Sequence, residues 1–246
     1  MHIVAIIPSR YASERLPAKP LRLIAGKSLI QRVYDSVVHT ELFDKVIIAT
    51  DHLDIFRHAK KFNADVMMTS SGHLSGTDRV EECAKKIKTD LVINIQGDEP
   101  FITKKPLELL INAFIDTKVQ VGSMMCEFED KNEAFDPNIV KVVCDINSDA
   151  LYFSRSVIPF YRNTSKDSAT IPYYKHIGVY AYRPDILKKF VIMPQGKLEQ
   201  IERLEQLRLL ENGYKIRMVL TDYHGIGVDT AADIDRAEKL LLKKVY

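Results

Sequence analysis

The sequence predicts an α/β fold: a mostly parallel open sheet flanked by helices, carrying a β-rich insertion. Three observations lead there. Apolar runs at residues 2–7, 45–50, 65–68 and 91–95 alternate with segments whose apolar residues recur at helical spacing, the order of successive β-α-β units and a right-handed parallel sheet. The first of those runs is β-branched and apolar at nearly every position, as a strand buried on both faces is. From about residue 130 to residue 182 the pattern changes to short β runs interrupted by Pro137, Pro159 and Pro172, which reads as an insertion on the sheet.

The 246 residues, 46% of them hydrophobic, suffice for the core of one large α/β domain or two small ones. A formal net charge of +2, from 35 basic and 33 acidic residues, gives no electrostatic reason to expect nucleic acid or an anionic membrane as partner. There is no apolar run of membrane-spanning length and no secretion signal at the start, so a cytoplasmic location is expected. Cys83, Cys126 and Cys144 are odd in number, far apart and without C-x-x-C spacing, which favours reduced core thiols over disulfides or a zinc site.

In chain order, Pro8 ends the first strand and the loop 8–19 follows. It gathers Arg10, Arg15 and Lys19 with the hydroxyls of Ser9 and Ser13. Ligands of open α/β sheets bind outside the carboxyl ends of strands, so three cations here point to an anion with several charges. The loop has neither G-x-x-x-x-G-K-[ST] nor G-x-G-x-x-G, which excludes the familiar phosphate cradles. A turn at 26–28 leads to a helix from Leu29 with Ser28 as N-cap. The strand 45–50 ends at Asp51, read as the cap of a helix over 53–61, and the strand 65–68 follows.

Ser75, Gly76, Thr77 and Arg79 stand at the start of a helix over 77–86. Free N–H groups, hydroxyls and a guanidinium fork suit a pyrimidine edge or an anion, although capping alone would account for Thr77. The strand 91–95 runs into Gln96-Gly97-Asp98-Glu99-Pro100. A carboxylate at a strand end beside a glycine suits a hard cation, and Mg²⁺ held by one or two carboxylates plus substrate phosphates is the expected form; Glu99 is read as solvated. A helix over 106–116 and a strand over 120–127 precede the insertion, where 140–144 and 150–155 pair around the turn 145–149. Its aromatic surplus, Tyr152, Phe153, Phe160, Tyr161, Tyr173 and Tyr174, suits a subunit interface or a packed core. The strand 175–182 puts His176 and Tyr180 on one face. One helix is expected over 197–212, with Leu198, Ile201 and Leu204 inside, Glu205 and Gln206 beside them, and Gly213 closing it. A strand over 216–221, a glycine-lined loop ending in Asp229 and a helix over 231–244 complete the chain.

The loop R-x-x-S-x-R-x-P-x-K from Arg10 to Lys19, S-G-T-D-R from Ser75, Q-G-D-E-P from Gln96, L-Y-F-S-R ending at Arg155, K-H-x-G-x-Y from Lys175, L-E-Q-L-R from Leu204 and G-V-D-T from Gly227 resemble, in unbroken order, the 3-deoxy-manno-octulosonate (Kdo) cytidylyltransferase family. The resemblance implies a single nucleotidyltransferase domain over 1–246, of nucleotide-diphospho-sugar transferase type, with the stretch near 130–182 serving sugar binding and dimer contact. It implies transfer of CMP from CTP to Kdo for lipopolysaccharide biosynthesis, a magnesium ion on Asp98 and Asp229, and a homodimer. Ser9, Arg10, Arg15, Lys19, Ser75, Gly76, Thr77 and Arg79 would hold the nucleotide; Gln96, Arg155, His176, Tyr180, Glu205 and Gln206 would hold the sugar acid. Lys19, Asp98 and Asp229 would carry the catalysis. Other readings are a cytidylyltransferase for sialic acid or an 8-amino Kdo analogue, a metal-dependent glycosyltransferase, and a non-catalytic nucleotide sensor.

Overall fold

β1 (Ile3–Ser9) is the axis around which the sheet is built. Its residues are all buried and divide by the period of two that a pleated strand imposes: Ile3, Ala5 and Ile7 enter one core, Val4 and Ile6 the other. The computed structural model describes residues 1–12, 16–162, 172–225 and 227–243. After β1 come the short hairpin strands β2 (Leu23–Ile24) and β3 (Lys27–Ser28), then α1 (Leu29–Val38), β4 (Lys45–Thr50), α2 (Leu53–Lys61), β5 (Asp65–Met68), α3 (Gly76–Ala84), β6 (Leu91–Asn94), α4 (Lys104–Asn112) and β7 (Val121–Glu127). The second half holds β8 (Lys141–Cys144), β9 (Ala150–Ser154), β10 (Tyr174–Tyr182), α5 (Pro184–Ile192), α6 (Lys197–Glu202), α7 (Leu207–Glu211), β11 (Arg217–Leu220) and α8 (Ala231–Lys243).

The main sheet runs β11-β7-β10-β6-β1-β4-β5, with β8 on β10 and β9 on β8. β5, β4, β1 and β6 are parallel to their neighbours in that series, as the alternating sequence pattern requires, and β10 is antiparallel to both β6 and β7. The region near 130–182 is therefore not a separate layer. β8 and β9 pair beside the sheet as expected, while β10 runs through its middle. Residues of α1, α2, α4 and α8 pack on one face, those of α3, α5 and α7 on the other. Ile30, Val33 and Val37 of α1 lie at helical spacing and are fully buried, and each such side chain contributes roughly 1.5–3 kcal/mol. Among the described residues no helix is long and apolar enough to cross a membrane. Cys83, Cys126 and Cys144 are free thiols, and burial pushes them up to about 12, 11 and 11, in line with unreactive core positions.

Several local expectations are corrected. Pro8 does not end the first strand, because Pro8 and Ser9 stay paired with Ala49 and Thr50. The Ile6 carbonyl accepts from Ile95, so by alternation the missing Pro8 N–H would face β6, where pairing has already stopped. The cap of α2 is His52, whose Nδ1 accepts from the Asp54 N–H at 3.3 Å; Asp51 instead accepts from Arg79 at 2.7 Å. The single helix over 197–212 is two, broken at Arg203, whose φ is 53°. The break follows from a buried ion pair: Arg208 donates to both oxygens of Glu199 at 2.7 and 2.6 Å. Nine residues along a straight helix would put these groups on opposite faces and roughly 13 Å apart. Leu198 and Ile201, expected inside, are 37% and 77% exposed, whereas Leu204 and Leu207 are buried.

Candidate active site

β1 is followed by a crossover to β4 on one side, and α3 returns the chain to β6 on the other, so the strand order reverses at the carboxyl ends of β1 and β6. A cleft of about 530 Å³ opens there, lined among others by Ser9, Arg10, Lys19, Ser75, Gly76, Arg79, Gln96, Asp98 and Asp229. Gly97 is required by close approach: a Cβ would stand 2.9 Å from the Pro8 carbonyl oxygen. At the end of β1 the buried Ser9 hydroxyl has no hydrogen-bond partner among the described residues. An orphaned hydroxyl of that kind suits a ligand.

Lys19 sits after the left-handed Ala18 in a short 3₁₀ turn. Its Nζ donates to Asp98 Oδ2 at 2.7 Å and to Asp229 Oδ1 at 2.9 Å, joining residues 79 and 210 positions away in the chain. Burial works to lower the Lys19 pKa, but the two carboxylates outweigh it and the pKa lies above the ordinary lysine value. Two carboxylates on one cation make an oxygen-rich cation site, and they fit a hard divalent ion. No group of three His, Cys, Asp or Glu suited to a metal occurs among the described residues, so the remaining ligands would come from substrate phosphates and water.

Glu99 is not solvated, which corrects the expectation. It is half-buried, accepts from the Tyr223 hydroxyl at 2.9 Å, and is pushed up to about 7, first by burial and then by the neighbouring Asp98 charge. At the start of α3, Ser75 and Asp78 form a reciprocal capping box, so Ser75 rather than Thr77 is the cap. Thr77 donates to Glu205 at 2.7 Å. Arg79 is committed inside the protein to Asp51, Thr69 and the Ser70 carbonyl. Arg15 lies outside the described residues, and Arg10 is exposed.

Thr77, Arg155, His176, Tyr180, Glu205 and Gln206 do not line this cleft. His176 and Tyr180 do share a neighbourhood, with ring centroids 5.4 Å apart. His176 packs edge-on to Phe153 at 5.0 Å, hydrogen-bonds Ser123 through Nε2 at 3.0 Å, and is pushed down to about 3 by burial. The Tyr180 hydroxyl is buried without a partner among the described residues. Burial raises the Glu205 carboxyl against the hydrogen bonds that lower it. Arg155 is held from behind: its Nε donates to the Glu202 carbonyl at 2.8 Å, its Nη1 to the Pro137 carbonyl at 3.1 Å, and the fully buried Lys141 ammonium grips its own carbonyl. Gln96 bridges the two groups, lining the cleft while its amide donates to Asn94 at 3.2 Å; Asn94 in turn donates to Thr77 at 3.5 Å.

Sequence reasoning missed Asn94, Tyr223, Lys141 and His73. His73 lines the cleft beside Ser75 and is bonded to Glu82 at 2.7 Å. For Asn94 a signal existed, since a polar amide inside an apolar strand run demands partners. Tyr223 gave none, because its partner Glu99 lies 124 positions away in the chain.

Comparison with known proteins shows the family. A sequence profile described as cytidylyltransferase covers residues 4–216. A 3-deoxy-manno-octulosonate cytidylyltransferase of Phocaeicola vulgatus is 47% identical, over 99% of this chain and 99% of its own. One of Solibacter usitatus is 45% identical, over 97% of this chain and 94% of its own. A solved structure of CMP:2-keto-3-deoxy-manno-octonic acid synthetase complexed with CTP superposes with a TM-score of 0.93 at 39% identity, covering 99% of this chain and all of the other. The 4-diphosphocytidyl-2C-methyl-D-erythritol synthase of Anaerococcus prevotii, at 17% identity and a TM-score of 0.65, shares the fold.

Proposed function

The chain belongs to the cytidylyltransferase family, and from that premise we infer that it transfers CMP from CTP to the anomeric hydroxyl of Kdo, giving CMP-Kdo and pyrophosphate. The observation that carries this reading is the convergence of Lys19, Asp98 and Asp229 in the cleft at the β1 and β6 strand ends.

In the reaction a bond forms between the sugar oxygen and the α-phosphorus while the bond from that phosphorus to the bridging oxygen breaks in line. The protein's task is positioning and charge neutralisation. Arg10, Arg15 and Lys19 would hold the triphosphate and stabilise the departing pyrophosphate, with Ser9 donating its free hydroxyl. The α3 N-terminus, with Ser75, Gly76 and Thr77, would hold the nucleotide. Arg79, which lines the cleft and donates to Asp51, Thr69 and the Ser70 carbonyl, would hold the wall of that pocket. Asp98 and Asp229 would hold Mg²⁺, which supplies Lewis-acid polarisation of phosphate and hydroxyl oxygens. With substrate and ion bound, Lys19 would exchange its carboxylate partners for phosphate oxygens.

Gln96, Arg155, His176, Tyr180, Glu205 and Gln206 would hold the sugar acid. The unpartnered Tyr180 hydroxyl supports this part of the reading, as does the neutral imidazole beside it. A homodimer is supported by exposed apolar side chains at Leu151 on β9 and at Phe160, 62% and 87% exposed, and sedimentation would test it. A step that consumes CTP belongs in the cytoplasm. The test of function is pyrophosphate release with CTP and Mg²⁺ against Kdo, its 8-amino analogue and sialic acid. A higher kcat/KM for Kdo is expected; equal or greater use of sialic acid would reassign the substrate.

A further inference from the structure

The segment that carries Asp229 is fastened to the one that carries Asp98. The Val228 N–H donates to the Asp98 carbonyl at 2.9 Å, and the Tyr223 hydroxyl donates to Glu99 Oε2 at 2.9 Å. Lys175 reaches from β10 to the carbonyls of His224 and Gly225 at 2.8 and 3.3 Å. Gly225 has a φ of +54°, and a Cβ on it would stand 3.4 Å from both the Glu99 carboxylate and the Tyr223 ring. Backbone and side chains are thus closed around one half-buried contact, the Tyr223–Glu99 hydrogen bond, next in the chain to Asp98.

Neither Glu99 nor Tyr223 lines the cleft, and the carboxylate and hydroxyl are turned on one another at 2.9 Å. Their effect must pass through the backbone of the residues they tie. Asp98 and Asp229 belong to segments 131 positions apart, their like charges repel, and Lys19 is the cation that bridges them. A small, hard cation demands near-ideal geometry from its oxygens, so the separation of the two carboxylates has to be fixed by something that stays in place. We propose that Glu99 and Tyr223 are positioning residues that set the spacing of Asp98 and Asp229 and thereby the affinity of the site for its divalent cation. This rests on the reading of those aspartates as the cation's ligands.

The test is Mn²⁺ binding to the enzyme–CTP complex without sugar acid, where no turnover occurs, followed by electron paramagnetic resonance. Wild-type enzyme is compared with Asp98→Asn, Tyr223→Phe, Glu99→Ala and Glu99→Gln. Tyr223→Phe removes one hydroxyl from an otherwise unchanged ring and is expected to weaken Mn²⁺ binding roughly tenfold, the lower end for a residue behind a metal ligand. In the full reaction it should raise the Mg²⁺ concentration for half-maximal turnover and leave turnover at saturating Mg²⁺ unchanged. Glu99→Ala should match it, while Glu99→Gln, whose amide oxygen still accepts from Tyr223, should restore wild-type binding. Wild-type Mn²⁺ affinity in Tyr223→Phe overturns the proposal. So does a Glu99→Gln defect as large as that of Asp98→Asn, because Glu99 would then act through its charge. If Asp98→Asn itself binds Mn²⁺ like the wild type, the ligand assignment fails first and the proposal falls with it.

Discussion

The two groups of candidate site residues are built differently. Around the cleft, Ser9 is the last residue of β1 and Arg10, Lys19, Asp98 and Asp229 come from segments between elements, and Ser9 and Lys19 offer a free hydroxyl and an ammonium that can change partners. Apart from Gln96, the residues proposed for the sugar acid come from the end of β9, from β10 and from the break between α6 and α7. Several of their polar groups are bonded inward: Arg155 to Glu202 and Pro137, His176 to Ser123, Glu205 to Thr77. Charges at the first group are available for chemistry at little cost in folding. At the second, the same side chains serve ligand and fold together, so removing one should disturb both.

The sharpest test of that contrast is Asp98→Asn. Its side chain is 29% exposed, so the fold should persist with an unchanged melting temperature while Mg²⁺-dependent pyrophosphate release falls by roughly 10³, the upper end for a preorganised charge. A lost fold with intact specific activity in the surviving fraction would break the comparison. Lys19→Ala should cost roughly 10² in kcat, with a smaller change in the KM for Kdo. Unchanged kinetics would remove Lys19 from the site.

For the inward-bonded group the outcome should be mixed. Thr77→Val leaves the half-buried Glu205 carboxyl without its 2.7 Å donor, which costs about 1 kcal/mol of stability. It should also raise the KM for CTP, at the α3 N-terminus, and that for Kdo, through Glu205; steady-state kinetics and urea unfolding on one preparation would show both. The effect that vanishes at neutral pH is the one on pH dependence. Unfolded, His176 takes up a proton near 6.5, but folded it does so only near 3, because burial disfavours its charge. Between those values the unfolded chain binds more protons, so stability is full above about pH 6.5 and declines as pH falls toward 3. His176→Gln should flatten that decline, and an unaltered pH–stability curve would show that the imidazole is charged in the fold.

The same contrast explains what was legible in the sequence. The parallel sheet was readable because β1, β4, β5 and β6 each coincide with an apolar run, and the cleft because residues at strand ends carry their meaning in local motifs such as Q-G-D-E-P. The meeting of Asp98 and Asp229 was legible only as an implication of family resemblance, since nothing local relates positions 131 apart. Where a distant partner decides, the sequence misled. The Glu199–Arg208 pair breaks a helix whose apolar spacing looked continuous, Arg79 takes Asp51 from its expected capping role, and Tyr223 turns Glu99 from a surface carboxylate into a half-buried one.

The most direct measurement of the central claim follows the α-phosphate itself. With purified enzyme, Mg²⁺, Kdo and CTP labelled at that phosphate, the label is predicted to pass to the sugar acid in one-to-one yield with pyrophosphate, only when all three are present, and to be lost in Asp98→Asn and Asp229→Asn alike. Label recovered as free CMP without sugar acid, or unimpaired transfer in both variants, would contradict it.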